Sequence, residues 1–418
     1  MPIWNRRDEC YDADERLQQQ MERLQSALNR AYNVPFYRNH FARHGVEPTV
    51  VESIEDLSRI PFIEPCHFSE NYPYGLFAVP LRDIVRIHTA RGNGPLPVVS
   101  GYTKKDLLIW RELVARALTA AGVSSTDILQ VELDPGLANW GRDYKDGAES
   151  VGAGVIPMTT LPPEKQLMIL KDYKTSVLVT SASGAEQLVY HLFRANLNPN
   201  ELALKTLILV GDAPGDNVRG NLEEQLHVRA WLHHGLNEVP GPTLGFECEE
   251  RNGLHVSEDH FLIEVVNPDT GELVKAGEEG ELVLTTLTTR AYPLIRFRTG
   301  DRVRLLHGAC PCGRTLRRVE WLPHRSDDMM VIRGVKVYHK QIFHILTREL
   351  GFEPPLYRFM AVKQQMMEYL EVSLGVNESI FSDEIKEMQK LSQKLSDELS
   401  LEIGLPVAIR LKEQGSFT

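Results

Sequence analysis

The spacing of apolar residues predicts two long helices in the first part of the chain. Residues 12–32 carry apolar side chains at helical spacing among many charges, which is typical of an amphipathic surface helix. A second helix is predicted to begin after Thr103, a residue type that caps helices through its hydroxyl, and to continue to about Gly122. Its buried stripe is expected to consist of Leu107, Leu108, Leu113, Ala117 and Leu118.

Between residues 128 and 210, short apolar runs alternate with segments of helical pattern. The apolar runs are residues 128–133, 154–158, 176–179 and 206–210, and the helical segments include residues 163–172 and 184–195. Strands buried on both faces read as continuous apolar runs, and helices between them are the crossovers of parallel strands. The pattern therefore predicts an α/β fold with a mostly parallel, doubly wound sheet.

From about residue 240 the pattern changes to short strands joined by turns. Strand character is found at residues 261–266, 281–287, 294–298 and 303–306, and the sequence PDTG at 268–271 is typical of a turn. This region is predicted to form a small β-barrel-like part or sheet appended to the α/β core. Residues 1–324 would then make one large N-terminal domain.

The last quarter of the chain is predicted to be a separate small domain. Residues 325–328 (RSDD) mark the boundary and are predicted to be a hinge. The strands expected beyond it are 329–332, 370–374 and 407–411, with helices from about residue 340 and over 382–399. This pattern indicates an α+β domain of residues 329–418.

Composition narrows the class of protein. Of 418 residues, 42% are hydrophobic and 25% are charged, which is ordinary globular usage and excludes a disordered or fibrous chain. A formal net charge of −11 argues against a general basic surface for nucleic acid or anionic lipid. An apolar signal core and a stretch of membrane-spanning length are both missing, which predicts a cytoplasmic protein. Five cysteines, an odd number, argue against a disulfide scaffold.

Several ordered motifs together resemble one known family. They are YNVPFY at 32–37, RIH at 86–88, GYT at 101–103, VIPM at 155–158, TTLTTRAYPLIRFRTGD at 285–301 and RSDDMMVIRG at 325–334. Over roughly residues 30–412, the sequence resembles the phenylacetate–CoA ligase branch of the adenylate-forming superfamily. The resemblance implies that ATP activates a carboxylic acid as an acyl-adenylate and that a thiol, usually CoA, then takes the acyl group. It also implies rotation of the small domain between these half-reactions.

The resemblance assigns the nucleotide contacts to three polar residues. Asp301, in the Arg-Thr-Gly-Asp motif, would accept hydrogen bonds from both ribose hydroxyls. Arg325 would add a donor to the ribose, and Asp327 would lie at the hinge. The alternative interpretation is structural, with a Gly-Asp turn followed by a solvated linker.

A magnesium contact is assigned within HGLNE at 234–238. By the resemblance, Glu238 would hold Mg²⁺, a cation that prefers oxygen ligands. Asn237 stands where the family has a hydroxyl residue, and His234 stands where it has an aromatic residue. The alternative is an ordinary glutamate at the end of a strand.

Other elements of the family pattern are altered. The phosphate loop at 88–97 (HTARGNGPLP) contains two prolines, which lack an N–H donor, and Leu96 takes the place of the family's lysine. The adenine segment at 211–214 (GDAP) has its acidic residue shifted by one place. No lysine follows the Gly-Ser pair within 412–418, so no C-terminal catalytic lysine is assigned. These changes predict poor pyrophosphate handling.

The thiol tunnel and the acyl pocket are also placed by the resemblance. IRGVKVY at 332–338 resembles the loop that shapes the tunnel, with Gly334 and Lys336 as cofactor-binding residues, although a plain β-turn is the alternative. The pocket candidates are Asn139, Trp140 and Gly211. Trp140 would be a wall for an aromatic acyl group, or else a core residue.

Three histidines are candidates for acid–base chemistry. His233 and His234 are adjacent on a predicted strand, so at most one of them faces the site, and His234 is the candidate carried forward. His88 lies beside the altered phosphate loop and is the second candidate. A structural role is the alternative for each.

A group of cysteines and a histidine predicts a metal site. Cys310 and Cys312 flank a proline, and Cys248 and His255 lie upstream in the same β-rich region. Three cysteines and one histidine make a tetrahedral structural zinc set, which leaves no open position for catalysis. His260 is an alternative fourth ligand, and unrelated thiols are the alternative to a metal site.

The combined prediction is an enzyme that handles acyl, and especially aryl, thioesters. The first hypothesis is transfer of an acyl group between CoA and a carrier-protein thiol with little or no ATP dependence. The second is an ATP-dependent aryl acid–CoA ligase acting through an acyl-adenylate. The third is a non-catalytic member that binds acyl-CoA or a protein. A homodimer is also among the predicted assemblies.

Overall fold

The structure is a computed structural model that describes most of the chain. The described residues are 2–90, 96–133, 137–156, 162–211, 214–239, 241–354, 356–364, 367–376 and 385–413. They divide into two compact units, one ending at Asp327 and the other beginning at Asp328. The hinge at 325–328 and the domain bounds stay predictions.

The first unit combines helices with a large sheet. Its helices are α1 (Arg6–Glu9), α2 (Ala13–Tyr32), α3 (Pro35–Arg43), α4 (Cys66–Glu70), α5 (Lys104–Ala120), α6 (Ala138–Val151), α7 (Pro163–Asp172), α8 (Ala182–Arg194) and α9 (Asp216–Leu226). Its strands are β1 (Arg86–Ala90), β2 (Val98–Tyr102), β3 (Ile128–Val131), β4 (Gly154–Ile156), β5 (Val177–Thr180), β6 (Thr206–Val210), β7 (Arg229–His234), β8 (Gly245–Phe246), β9 (Leu254–Val256), β10 (Phe261–Val266), β11 (Glu279–Thr286), β12 (Phe297–Leu305) and β13 (Arg318–Arg325).

Strands β3 to β13 form one eleven-stranded sheet within the described residues. Its order is β10-β11-β12-β13-β9-β8-β7-β6-β5-β3-β4, while β1 and β2 form a separate hairpin. Strands β3 to β7 pair in parallel, and β7 to β13 pair antiparallel. The predicted α/β class is confirmed. The antiparallel strands extend the parallel sheet instead of closing a separate barrel, because β8 pairs with the otherwise open edge of β7.

The predicted helix after Thr103 is present as α5, with one difference in its buried face. The Thr103 hydroxyl accepts from the Asp106 N–H over 3.2 Å, and the Asp106 carboxylate accepts from the Thr103 N–H over 2.8 Å. This reciprocal capping satisfies N–H groups that the first turn leaves without helical partners. The assignment of Leu108 to the buried stripe was wrong, because this side chain is 54% exposed.

The β-rich region also differs from the sequence prediction. Residues 294–298 and 303–306 were predicted as separate strands, whereas β12 runs without interruption from Phe297 to Leu305, with an irregular register against both neighbours. Strand β13 was not predicted, because charged residues interrupt its apolar pattern. These charges have partners, as in the pair of Arg304 with Glu320, so they do not prevent strand formation.

The second unit is a small α+β fold. Its strands are β14 (Met330–Ile332), β15 (Val335–Val337), β16 (Tyr357–Gln364), β17 (Met367–Val376) and β18 (Val407–Glu413), and its helices are α10 (His339–Leu350) and α11 (Ile385–Ile403). Strand β17 lies between β16 and β18, and both helices contribute to one core with this sheet. No helix in the described part of the chain is long and apolar enough to cross a membrane.

Candidate functional site

A cavity of about 530 Å³ lies in the first unit where β6 and β7 end. Gly211 follows β6 directly, and His233 and His234 are the last residues of β7. Trp321 and Leu322 of β13 also line the cavity. Ligands of open α/β sheets bind at the carboxyl ends of parallel strands, so this cavity is the candidate functional site.

Asp301, Arg325 and Asp327 form a compact charged group beside this cavity. Asp301 and Arg325 are register partners on β12 and β13, and their side chains form an ion pair. Arg325 also binds Asp327 through two parallel hydrogen bonds of 2.7 and 2.9 Å, and it donates to the Thr299 carbonyl. The bidentate geometry fixes the guanidinium plane. The structure thus brings together the three residues for which the sequence predicted ribose and hinge roles.

His234 connects the cavity to this charged group. Its Nε2 lies 3.5 Å from Oδ2 of Asp301. Burial, and then the nearby charge of Arg325, hold the pKa of His234 well below its usual range. The neutral form of the imidazole is therefore favoured, in which one ring nitrogen can donate a hydrogen bond and the other can accept one.

His88 and Glu238 lie in a second neighbourhood around Tyr102. The His88 ring is 5.2 Å from Tyr102 and 5.3 Å from Trp110, measured between centroids. Burial, and then the charges of Arg86 and Arg142, lower the pKa of His88 to about 4. Glu238 is buried, and its charge contributes to a raised pKa at Tyr102, where burial is the larger cause. Asn237, beside it in the chain, is half-buried.

The predicted acyl-pocket residues occupy different environments. Gly211 lines the cavity with φ of +99°, and a Cβ atom there would lie 2.8 Å from Leu137. Trp140 is buried in the core with Tyr144, Tyr102 and Trp110. Asn139 is exposed and donates to the Thr89 carbonyl over 3.4 Å. Trp140 therefore lies within the core in this structure, while its part in an acyl pocket stays a prediction.

Some predictions fall outside the described residues. These include most of the altered phosphate loop (91–95), the start of the pocket segment (134–136), the shifted acidic residue at 212 and the chain end (414–418).

In the second unit, Arg333 and Gly334 have φ of +51° and +71° and form the two-residue turn between β14 and β15. Lys336 follows on β15, paired with Val331. The tunnel role of this turn stays a prediction.

The predicted cysteine and histidine ligands lie together in the first unit. The ligand atoms of Cys248, His255, Cys310 and Cys312 all lie within 4.8 Å of one another, and all four residues are buried. The Sγ atoms of Cys248 and Cys310 are 3.6 Å apart, and Sγ of Cys312 lies 3.5 Å from Nε2 of His255. The alternative ligand, His260, lies elsewhere and contacts Asp259, Glu112 and Thr288.

The sequence reasoning missed a buried ion pair behind His88. Arg86 of β1 contacts Asp143 of α6 over 2.5 Å. Burial raises the pKa of Asp143 to about 7, although Arg86 opposes this effect. Arg86 belongs to one of the sequence motifs, but its partner lies 57 positions away, and no local pattern links residues so far apart.

Several known proteins are similar to this chain. Residues 334–418 match the family described as AMP-binding enzyme C-terminal domain. The chain is similar to a phenylacetate–coenzyme A ligase of Thermus thermophilus, with 38% identity over 88% of this chain and 85% of that protein. A phenylacetate–coenzyme A ligase of Pseudomonas putida is 38% identical to this chain, over 80% of this chain and 76% of that protein.

A solved structure is similar over the whole chain. It is a crystal structure of 2-hydroxyisobutyryl-CoA ligase in complex with 2-HIB-AMP and CoA in the thioesterification state. The TM-score is 0.90 and the sequence identity 25%, with 100% of this chain and 90% of the other covered. The chain therefore belongs to the phenylacetate–CoA ligase branch of the adenylate-forming superfamily and is an AMP-forming acid–CoA ligase.

Proposed function

We propose that the first unit binds ATP in the cavity at the ends of β6 and β7 and activates an aryl or other small carboxylic acid for transfer to CoA. The observation that carries this proposal is the group of Asp301, Arg325 and Asp327 at the edge of that cavity. Asp301 is a buried carboxylate, which suits a vicinal diol, and Arg325 fixes its orientation. The ribose is the part of ATP that offers such a diol.

Glu238 would hold the Mg²⁺ that accompanies ATP. The residue offers carboxylate oxygens, the ligand type that Mg²⁺ prefers, in a buried position. When bound, the cation would offset phosphate charge. His234, neutral and next to Asp301, would help to hold that carboxylate toward the ribose.

Acyl transfer to a carrier protein without ATP, the first hypothesis from the sequence, has weaker support. Its basis was the altered phosphate loop, the shifted acidic residue of the adenine segment and the missing C-terminal lysine, and most of these positions lie outside the described residues. The relatives named above are CoA ligases, which favours the ATP-dependent alternative. A carrier-protein partner and a homodimer stay predictions.

Acid-dependent exchange between pyrophosphate and ATP tests the proposal. Wild type should exchange with at least one acid of a mixed aryl and aliphatic panel. Asp301→Asn should lower kcat/KM for ATP by about 10- to 100-fold, since it removes charge-assisted hydrogen bonds to the ribose. Asp269→Asn changes an exposed turn and serves as the matched control. Exchange that survives Asp301→Asn unchanged would contradict the assigned site.

We also propose that the four clustered residues hold a structural zinc ion. Zn–S bonds of about 2.3 Å and Zn–N bonds of about 2.0 Å in a tetrahedron place two sulfurs about 3.8 Å apart, and sulfur and nitrogen about 3.5 Å apart. The observed 3.6 and 3.5 Å are close to these edges. His255 approaches the Leu316 carbonyl through Nδ1 at 3.3 Å, which leaves Nε2 for the metal.

Metal analysis tests the zinc proposal. Freshly purified protein without chelator should contain about one zinc per chain. Cys312→Ser should lose the metal and lower the melting temperature, whereas Cys66→Ser, at an exposed thiol, should change neither. A zinc content near zero in wild type would remove the proposal.

A further inference from the structure

We infer that Glu281 is a positioning residue of the nucleotide site, which holds the backbone that precedes Asp301 so that the Asp301 carboxylate faces the ribose. The inference rests on the proposed ATP-binding function and adds a residue that the sequence motifs did not single out. Glu281 lies on β11, within the first unit, and its side chain is 3% exposed.

Strand β12 departs from the regular ladder with β11 directly at the nucleotide site. The register of the two strands shifts between Glu281 and Val283, where residues 299–301 of β12 stand opposite Leu282 alone. This is the geometry of a bulge, in which the extra residues leave the ladder and their backbone groups need other partners. Asp301 therefore belongs to an irregular segment whose conformation the pairing with β11 does not fix.

Side chains restrain this bulge. Oε1 of Glu281 accepts a hydrogen bond from the Gly300 backbone N–H over 3.0 Å. The Thr299 hydroxyl donates to the Leu282 carbonyl over 2.8 Å and accepts from the Asp301 N–H over 3.1 Å. A hydrogen bond to a carboxylate is about twice as strong as one between neutral groups, so Glu281 restrains the peptide before Asp301 more strongly than Thr299 does.

A cation holds the other oxygen of Glu281. Oε2 accepts from Nε of Arg298 over 3.0 Å, and this pairing leaves Oε1 for Gly300. A buried carboxylate needs such a partner, because an unpaired buried charge is strongly destabilising. Arg298 compensates the charge of Glu281, and Arg325 compensates that of Asp301. Two carboxylates can therefore serve the same short segment.

Loss of the Glu281 acceptor should displace the Asp301 carboxylate without removing it. The Gly300 N–H would lose its charged partner, and the bulge would be free to move relative to β11. A displacement of about 1 Å in a binding or catalytic group can cost about 100-fold in rate. The expected defect is therefore specific to the ribose contact.

The ribose contact is measured by comparing ATP with 2′-deoxy-ATP in acid-dependent pyrophosphate exchange. The two nucleotides differ in one hydroxyl, so a general loss of stability lowers kcat/KM for both and leaves their ratio unchanged. Wild type should favour ATP by about tenfold or more. Asp301→Asn should bring the ratio to within about threefold of unity.

A variant series at Glu281 tests the positioning role. Glu281→Met removes the acceptor at similar side-chain length and should lower the ratio by about fivefold or more, with a raised KM for ATP and kcat within about threefold. Glu281→Gln keeps an oxygen that can accept from the Gly300 N–H and should keep the ratio within about threefold of wild type. Glu264→Met is the matched control. It removes another buried carboxylate, which accepts two hydrogen bonds from Arg296, and should keep the wild-type ratio.

Three results would overturn the inference while the ligase function stands. The first is a wild-type ratio in Glu281→Met together with a lost ratio in Asp301→Asn. The second is an equal loss in Glu281→Met and Glu264→Met, which would show a general effect of removing a buried charge. The third is an equal loss in Glu281→Met and Glu281→Gln, which would show that the hydrogen bond to Gly300 is not what matters.

Glu281→Asp decides the question if Glu281→Met does not fold. It keeps the charge but withdraws the acceptor by about 1.5 Å, so the ratio should fall, and an unchanged ratio overturns the inference. Failure of the underlying function has a different signature. An unchanged ratio in Asp301→Asn, or no exchange by wild type with any acid, would overturn the proposed nucleotide site and the inference with it.

Discussion

At the scale of single residues, the candidate nucleotide site depends on one glycine. Gly300 lies between Thr299 and Asp301 with φ of +76°, in the left-handed region that side chains rarely adopt. A Cβ atom at this position would collide with the Arg325 guanidinium and the Asp327 carboxylate. The sequence motif contains this glycine because both the backbone conformation and the ion pairs require it.

Gly300→Ala is therefore expected to damage both stability and nucleotide binding. The strained backbone should cost about 1–3 kcal/mol of unfolding free energy, and displacement of Arg325 should raise KM for ATP. Urea unfolding and steady-state kinetics measure the two effects. Gly308→Ala is the matched control, since Gly308 has φ of +77° but no atom lies within 4 Å of the place that its Cβ would take. Equal KM values for ATP in Gly300→Ala and Gly308→Ala would show that the collision of the added Cβ atom with Arg325 and Asp327 does not affect nucleotide binding.

At the scale of secondary structure, α5 is anchored by a residue with two roles. Asp106 completes the capping box with Thr103. Its carboxylate also accepts from the backbone N–H groups of Arg290 and Ala291, over 2.7 and 3.3 Å. The same buried side chain thus begins the helix and holds the loop that precedes β12.

Asp106→Ala is expected to cost more stability than the loss of an ordinary cap. A helix cap contributes about 1 kcal/mol, and the buried Ala291 N–H group left without its acceptor costs about 1–3 kcal/mol more. The total loss of unfolding free energy, measured by urea unfolding, should be about 2–4 kcal/mol. Asp12→Ala at the start of α2 is the control. The Asp12 carboxylate caps this helix by accepting a hydrogen bond from the Glu15 backbone N–H over 2.8 Å, at an exposed position. Similar losses in the two variants would contradict the second role of Asp106.

At the scale of the whole first unit, a buried ionic network joins segments that are distant in the chain. Arg116 of α5 contacts Asp259, Glu112 and Glu9, and Glu9 also pairs with Arg314 beside the cysteine cluster. The network connects the N-terminal segment, α5 and the loop after β9. Charges buried in this way are strongly destabilising when one partner is lost.

The network makes stability depend on pH through His260. Burial is the largest single influence and opposes its charge, but the charge of Asp259 and hydrogen bonds to Asp259 and Glu112 together outweigh burial and raise the pKa of His260 above its usual value. Its facing groups are Asp259, Glu112, Arg116 and Thr288. Because the folded pKa is raised, the stabilisation is fully present below about pH 6.5 and is lost as the pH rises through the folded value.

Wild type is therefore expected to lose more unfolding free energy than His260→Gln as the pH rises from about 6 to about 9. Urea midpoints measured across this range give the difference between the two proteins. His324→Gln is the control, since His324 is 57% exposed in its side chain. Parallel profiles for wild type and His260→Gln would show that His260 does not titrate in this window.

The sequence by itself determined the fold class, the family resemblance and the candidate ligand groups. Apolar runs at β6 and β10 and the cap at Thr103 are local signals, so they predicted elements correctly. The continuity of the sheet, the exposure of Leu108 and the placement of Trp140 in the core were decided by the tertiary structure. The pairs Arg86–Asp143 and Tyr144–His233 join residues 57 and 89 positions apart. Chain spacing carries no information at that distance, because packing of elements alone brings such residues into contact.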